Sequence, residues 1–184
     1  MKPAMTVVLM AFCLSGNNLV FAQDTSATQS ATVVEHRWVG LTRTMTDGSI
    51  ESDFGQLQGH SSMHRLCANE VAPNARACFT SEIVGSVVTG QLDAFGWVIP
   101  TGYVLHRNPS ATGGGEWFAQ DTATGITGAT VGDPSEAYES LSCGGFLDDQ
   151  TSGIVANASG FLQLSCGSSH AISCCAPMAI PVSP

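Results

Sequence analysis

Charge is scarce in this chain, and lysine nearly absent. Charged residues make up 11% of 184, and Lys2 is the sole lysine. Such a surface has no basic patch with which to follow a phosphate backbone or an anionic lipid face. No apolar run approaches the roughly 20 residues that a membrane-spanning helix needs. The strings Cys-x-x-C, His-Glu-x-x-His and Gly-x-Ser-x-Gly do not occur. Their absence weighs against a zinc clip, a thioredoxin-like redox pair, a zinc peptidase helix and a nucleophile elbow.

What is present at the start reads as an export signal. Lys2 precedes an apolar stretch from Met5 to Leu14, which loosens into Ser15-Gly16-Asn17-Asn18 and ends at Val20-Phe21-Ala22. A basic residue, a short apolar segment and small residues spaced as Ala-x-Ala predict a signal peptide over residues 1–22, so the mature chain begins at Gln23. The expected location is secreted or periplasmic, without a membrane span. The mature chain carries five arginines against fifteen carboxylates, a net charge of −10 that disfavours nucleic acid as a partner. Six cysteines remain: Cys67, Cys78, Cys143, Cys166, Cys174 and Cys175. An even number in an exported chain predicts three disulfides, chosen from about fifteen possible pairings.

Residues 23–31, rich in Ser, Thr, Ala and Gln, read as a flexible leader, 32–177 as one domain, and 178–184 as a tail. Val33 to Val39 has the β-branched and aromatic content of a strand. Met63, Leu66, Cys67 and Val71 recur at helical steps over Ser61 to Val71, with Ser61 or Ser62 as N-cap. A second helix follows Thr80, with Ile83, Val84, Val87 and Val88 on one face until Gly90. Phe95 to Pro100 reads as a buried strand that Tyr103-Val104-Leu105 could extend. From Asn108 to Ser140 the glycine-rich texture predicts a long irregular loop. Ile154 to Ala156 and Phe161 to Leu164 flank a turn and predict a hairpin, and His170 to Ala176 a last strand closed by Pro177. Two short helices on a mostly antiparallel sheet, with long irregular loops, make an α+β domain.

Trp38-Val39-Gly40-Leu41-Thr42, Met63-x3-Cys67, Ala75 to Ile83, Trp97, Cys143-Gly144-Gly145-Phe146, Cys166 and Ser173 to Pro177 together resemble a group of uncharacterised exported bacterial proteins. More distantly, the arrangement is similar to the C-type-lectin-like fold, including its endostatin branch. The resemblance implies the bridge Cys143–Cys166, a bridge from Cys67 to Cys174 or Cys175, and neighbouring first and last strands. Adjacent strand residues point to opposite faces, so only one of Cys174 and Cys175 faces the helix of Cys67. Cys78 would take the other, and a vicinal Cys174–Cys175 bridge is the rival. The Glu-Pro-Asn, Gln-Pro-Asp and Trp-Asn-Asp elements of calcium-dependent sugar-binding lectins do not occur.

His60 and His64 stand four apart, as metal ligands on a helix can, but no general base follows the first. Glu70, Glu82 and Glu116 are isolated carboxylates. Asp148 and Asp149 could supply oxygens to calcium, although a solvated acidic loop is the favoured account of them. No cofactor is indicated. A binding or adhesion module for an extracellular glycan or protein ligand is the expected function. Its surface would run from Asn108 to Ser140 and Cys143 to Gly153, with Glu116, Trp117, Asp121, Asp133, Asp148 and Asp149 as contacts. The alternative is a secreted hydrolase that assembles His36, His64, His106 or His170 with distant carboxylates.

Overall fold

The computed structural model describes residues 32–50, 58–108 and 116–181. The expected signal peptide and leader and the Gly113-Gly114-Gly115 run lie outside them. The elements in chain order are β1 (Thr32–Leu41), α1 (His60–Glu70), β2 (Arg76–Ala77), α2 (Thr80–Val88), β3 (Gly96–Val98), β4 (Tyr103–Asn108), β5 (Glu116–Asp121), α3 (Pro134–Phe146), β6 (Ser152–Asn157), β7 (Gly160–Ser165) and β8 (Ala171–Pro181).

One sheet runs β1-β8-β3-β6-β7, with β2 also paired to β8; every pairing is antiparallel except β3 with β8. The first and last strands are neighbours, as expected, with Val33 opposite Ile180 and Trp38 opposite Cys175. Strand alternation then divides the interior into two layers. Trp97, Val155, Ile172 and Cys174 pack with Met63, Leu66 and Cys67 of α1. Their sequence neighbours Val98, Ile154, Ala156 and Cys175 pack with Ile83 of α2 and with Ala137 and Leu141 of α3.

The bridges follow this division. Cys67 of α1 joins Cys174, Cys78 joins Cys175, and Cys143 joins Cys166. Adjacent residues of β8 are therefore bonded into opposite layers, which settles the choice the resemblance left open. All six sulfurs are buried.

Several expectations need correction. The described residues form three helices rather than two, because α3 occupies part of the segment read as irregular. Asp133 caps it, accepting hydrogen bonds from Ser135 N at 2.8 Å and Ser135 Oγ at 2.6 Å, with Pro134 in the first turn. Residues 116–121 of that segment form β5, paired along its whole length with β4. Tyr103 to Leu105 consequently belongs to this separate two-stranded ribbon and does not extend β3. The cap of α1 is Gly59, at φ 57°, instead of Ser61 or Ser62. Nor does Pro177 close the last strand, which runs to Pro181. Beyond Cys175, β8 has β1 as its only strand neighbour among the described residues, so the missing proline N–H falls where no ladder bond is required.

The end of α3 is unusual. Cys143, Gly144, Gly145 and Phe146 all have positive φ, at 51°, 60°, 75° and 62°. A left-handed backbone costs about 1–2 kcal/mol per residue with a side chain. Here Cys143 is tied to Cys166, and Phe146 is buried edge-on against Trp97 at 5.8 Å between ring centres. Cys143 O also accepts from Leu147 N and Asp148 N, both at 3.0 Å.

The bridge at this turn is wedged between glycines. A Cβ on Gly48 would lie 2.5 Å from Cys143 Sγ and closer still to Cys166 Cβ, and one on Gly153 would lie 2.5 Å from the same sulfur. Gly48→Ala is therefore expected to destabilise the protein by about 1–3 kcal/mol through overpacking. Gly132→Ala, where a Cβ meets nothing within 4 Å, should leave the urea midpoint close to that of the parent. Equal midpoints for the two variants would refute this packing.

Candidate functional site

A cleft of about 740 Å³ opens between β1 and α2, lined by Glu35, His36, Arg37 and Trp38 on one side and Ser81, Glu82, Gly85 and Ser86 on the other. Its walls follow from the two elements. Trp38 lies two residues from His36 on the same strand, and alternation places both on one face. Trp38 packs against the layer containing Ile83 and Cys175, which seats α2 beside it. On α2, Gly85 leaves the floor low; a Cβ there would meet no atom within 4 Å.

The chemistry is histidine, carboxylate and hydroxyl in one cavity. His36 Nδ1 lies 3.8 Å from Glu82 Oε1, beyond hydrogen-bond reach. Glu82 is already engaged. Its Oε2 accepts from Arg76 Nη1 at 3.0 Å and Phe79 N at 2.9 Å, and its Oε1 pairs with Arg76 Nη2. It thus closes the N-terminus of α2. Ser81 Oγ accepts from Thr101 Oγ1 at 2.8 Å. Neither hydroxyl nor carboxylate is arranged as a relay with His36. Trp38 Nε1 is shielded from solvent and has no hydrogen-bond partner among the described residues.

The residues singled out from the sequence are distributed rather than gathered. Trp117 is half-buried, packed against the α2–α3 layer, and its backbone pairs with Val131. It is thus less exposed than its glycine-rich context suggests. Glu116 is the first residue of β5, opposite Asn108. Asp121 is fully buried, accepting from Thr80 Oγ1 (3.0 Å), Thr101 N (3.2 Å), Thr124 N (2.9 Å) and Thr124 Oγ1 (2.8 Å). Asp133 caps α3, and its bonds from Ser135 hold its carboxyl below the usual range. Asp148 and Asp149 lie past the other end of the same helix, where both accept from Gln150. The regular turns from Pro134 to Leu141 span about 12 Å, so Asp133 and the Asp148–Asp149 pair do not share one site.

Glu70 is also committed, accepting from Arg43 N, Thr44 N and Thr44 Oγ1. His64 Nδ1 accepts from Ala77 N at 3.1 Å. His60 packs on Phe146, and His170 stands edge-on to Trp97 at 5.1 Å. Among the described residues no group of three His, Cys, Asp or Glu side chains could hold a metal ion, and no helix is long and apolar enough to cross a membrane. The pairing of His36 with Glu82 was missed from sequence because 46 residues separate them. The local signal available was the alternation of His36 with Trp38.

Burial lowers the imidazole pKa of His60 and His170; for His64, burial is joined by the charge of Arg76. Depressed in the folded state, these groups contribute stability that is complete above the unfolded value of about 6.5 and is lost as pH falls through the folded values. The melting temperature should thus drop below about pH 6.5. His170→Leu should lose less on acidification than the parent; an identical pH profile would contradict this origin.

No protein-family model, no curated protein and no solved structure matches the chain.

Proposed function

We propose that this chain is an exported binding module that recognises an extracellular glycan or protein through the cleft between β1 and α2. The observation that carries the reading is the cleft itself: an indole, an imidazole and serine hydroxyls line a polar cavity whose carboxylate is tied to Arg76. Such a set suits hydrogen bonding and stacking against a polar ligand better than proton transfer. Three buried disulfides fit an oxidising compartment, and the signal-peptide reading of residues 1–22 supplies the route. The C-type-lectin-like assignment is part of the same proposal. Its support is the adjacency of β1 and β8 and the bridge order from α1 to the last strand.

A second surface is favoured by one observation. Tyr103, Val104 and Leu105 are all exposed on β4, beside β5 with Trp117, and Asp133 lies two residues beyond Val131, the residue paired with Trp117. Trp117, Val131 and Asp133 are the part of the Asn108–Ser140 expectation that adjoins it. A glycan and extracellular-matrix array probed with and without calcium tests the proposal. Calcium-independent retention of at least one ligand is expected. Calcium-dependent binding, or no binding together with hydrolysis of ester, peptide or glycoside substrates, would overturn it, the latter in favour of a hydrolase built on His36.

A further inference from the structure

We propose that the outer edge of β1 receives a second copy of this chain, the two β1 strands pairing antiparallel about a twofold axis at His36. β1 stands at the end of the sheet, bonded to β8 on one side. Among the described residues no backbone hydrogen bond joins its other side to another segment. It is ten residues long and carries neither proline nor lysine, and its one bulge, between Trp38 and Gly40, lies past the stretch from Val34 to Trp38. Val33, Val34 and Val39 are 47%, 62% and 39% exposed on it.

The register follows from β8. Ile172 O accepts from Thr42 N on the β1 side, whereas Ser173 O accepts from Cys78 N on the other. Even-numbered residues of β8 therefore aim their polar backbone groups at β1 and odd-numbered residues aim away, as suits Pro177, which has no N–H to give. Trp38, His36 and Val34, opposite Cys175, Pro177 and Ala179, thus exchange no ladder bonds with β8. Their own N–H and C=O groups point to the free edge. These are three consecutive bonding positions, centred on His36.

The side chains about that centre are self-complementary. Pairing His36 with His36 of the second copy puts Glu35 opposite Arg37 and Arg37 opposite Glu35. It also puts Val34 opposite Trp38 in both directions. Opposite charges and aromatic–β-branched contacts are the favourable cross-strand pairs, and the twofold makes each occur twice. Glu35 and Arg37 are each about half exposed, their side chains 53% and 55% open to solvent and bonded to one another at 3.3 Å within the strand. They are thus available to a facing strand. The chain is otherwise strongly acidic, with a net charge of −9, and would repel itself at an arbitrary contact; here its charges alternate in sign. This inference does not rest on the binding role of the cleft, although the seam shares the cleft's β1 wall, Glu35 to Trp38.

Sedimentation velocity of the oxidised protein across a concentration series tests it. Wild type is expected to dimerise reversibly. Arg37→Glu places glutamate opposite glutamate twice and should weaken the dimer about tenfold or more. The charge swap E35R/R37E restores both opposite pairs and should recover it. Should Arg37→Glu fail to fold, Val34→Lys, at an exposed position, is expected to give a monomer with the parent's melting temperature. A wild type that stays monomeric throughout, or a dimer indifferent to Arg37→Glu or to Val34→Lys, would overturn the proposal. So would a charge swap that folds but does not dimerise.

Discussion

Reduction of the three disulfides should unfold this protein at temperatures where the oxidised form is fully folded. Cys67–Cys174 and Cys78–Cys175 span 107 and 97 residues, against 23 for Cys143–Cys166. In the chain-entropy model, loops of these lengths correspond to about 4.7 kcal/mol for each long bridge and about 3.4 kcal/mol for the short one. The long bridges also hold α1 and the strand leading into α2 against the two faces of β8. Replacing Cys67 and Cys174 together by alanine is thus expected to lower the melting temperature more than the same replacement of Cys143 and Cys166. Circular dichroism melts of the two double variants and of the reduced parent supply the comparison. A reduced protein that melts with the oxidised one would show that the apolar layers suffice.

Asp121→Ala should be nearly as damaging, although the residue sits in a segment that reads as a loop. The carboxylate is fully buried and joins three parts of the chain: Thr80 at the start of α2, Thr101 between β3 and β4, and the Thr124 turn after β5. Its removal leaves buried donors unpaired, at a cost of about 3 kcal/mol or more. Asp121→Asn keeps an acceptor for Thr80 and Thr101 but turns an amide donor toward Thr124 N–H, so an intermediate loss is expected. Urea unfolding of both variants gives the order; a stable Asp121→Ala protein would return this residue to the candidates for ligand contact.

The bridges and Asp121 illustrate what local pattern can carry. Cysteine number and the apolar spacing of α1, α2 and the β6–β7 hairpin are one-dimensional signals, and the corresponding elements appear where they point. α3 also had a signal, in Asp133-Pro134-Ser135-Glu136 followed by Ala137 and Leu141 at a four-residue step. It was obscured because α3 buries mostly small side chains, among them Ala137, Ser140 and Ser142, so its apolar stripe is faint. Asp121 is different in kind. A carboxylate in Gln-Asp-Thr-Ala-Thr-Gly looks solvated, and its burial depends on Thr80 and Thr101, brought to it by the sheet. The left-handed turn at Cys143 to Phe146 is legible only in part: Gly144 and Gly145 permit positive φ, but Cys143 and Phe146 adopt it because a bridge and the core hold them. The cleft could not be read at all without the adjacency of β1 and α2.

Gly85 gives the most direct access to that cleft, since a side chain there extends into empty space. Gly85→Gln favours the helix and obstructs the cavity, so its effect on folding and its effect on recognition have opposite signs. On the glycan and matrix array, this variant should melt no lower than the parent yet lose the ligands the parent retains. A folded Gly85→Gln protein that keeps every ligand would contradict recognition through the β1–α2 cleft.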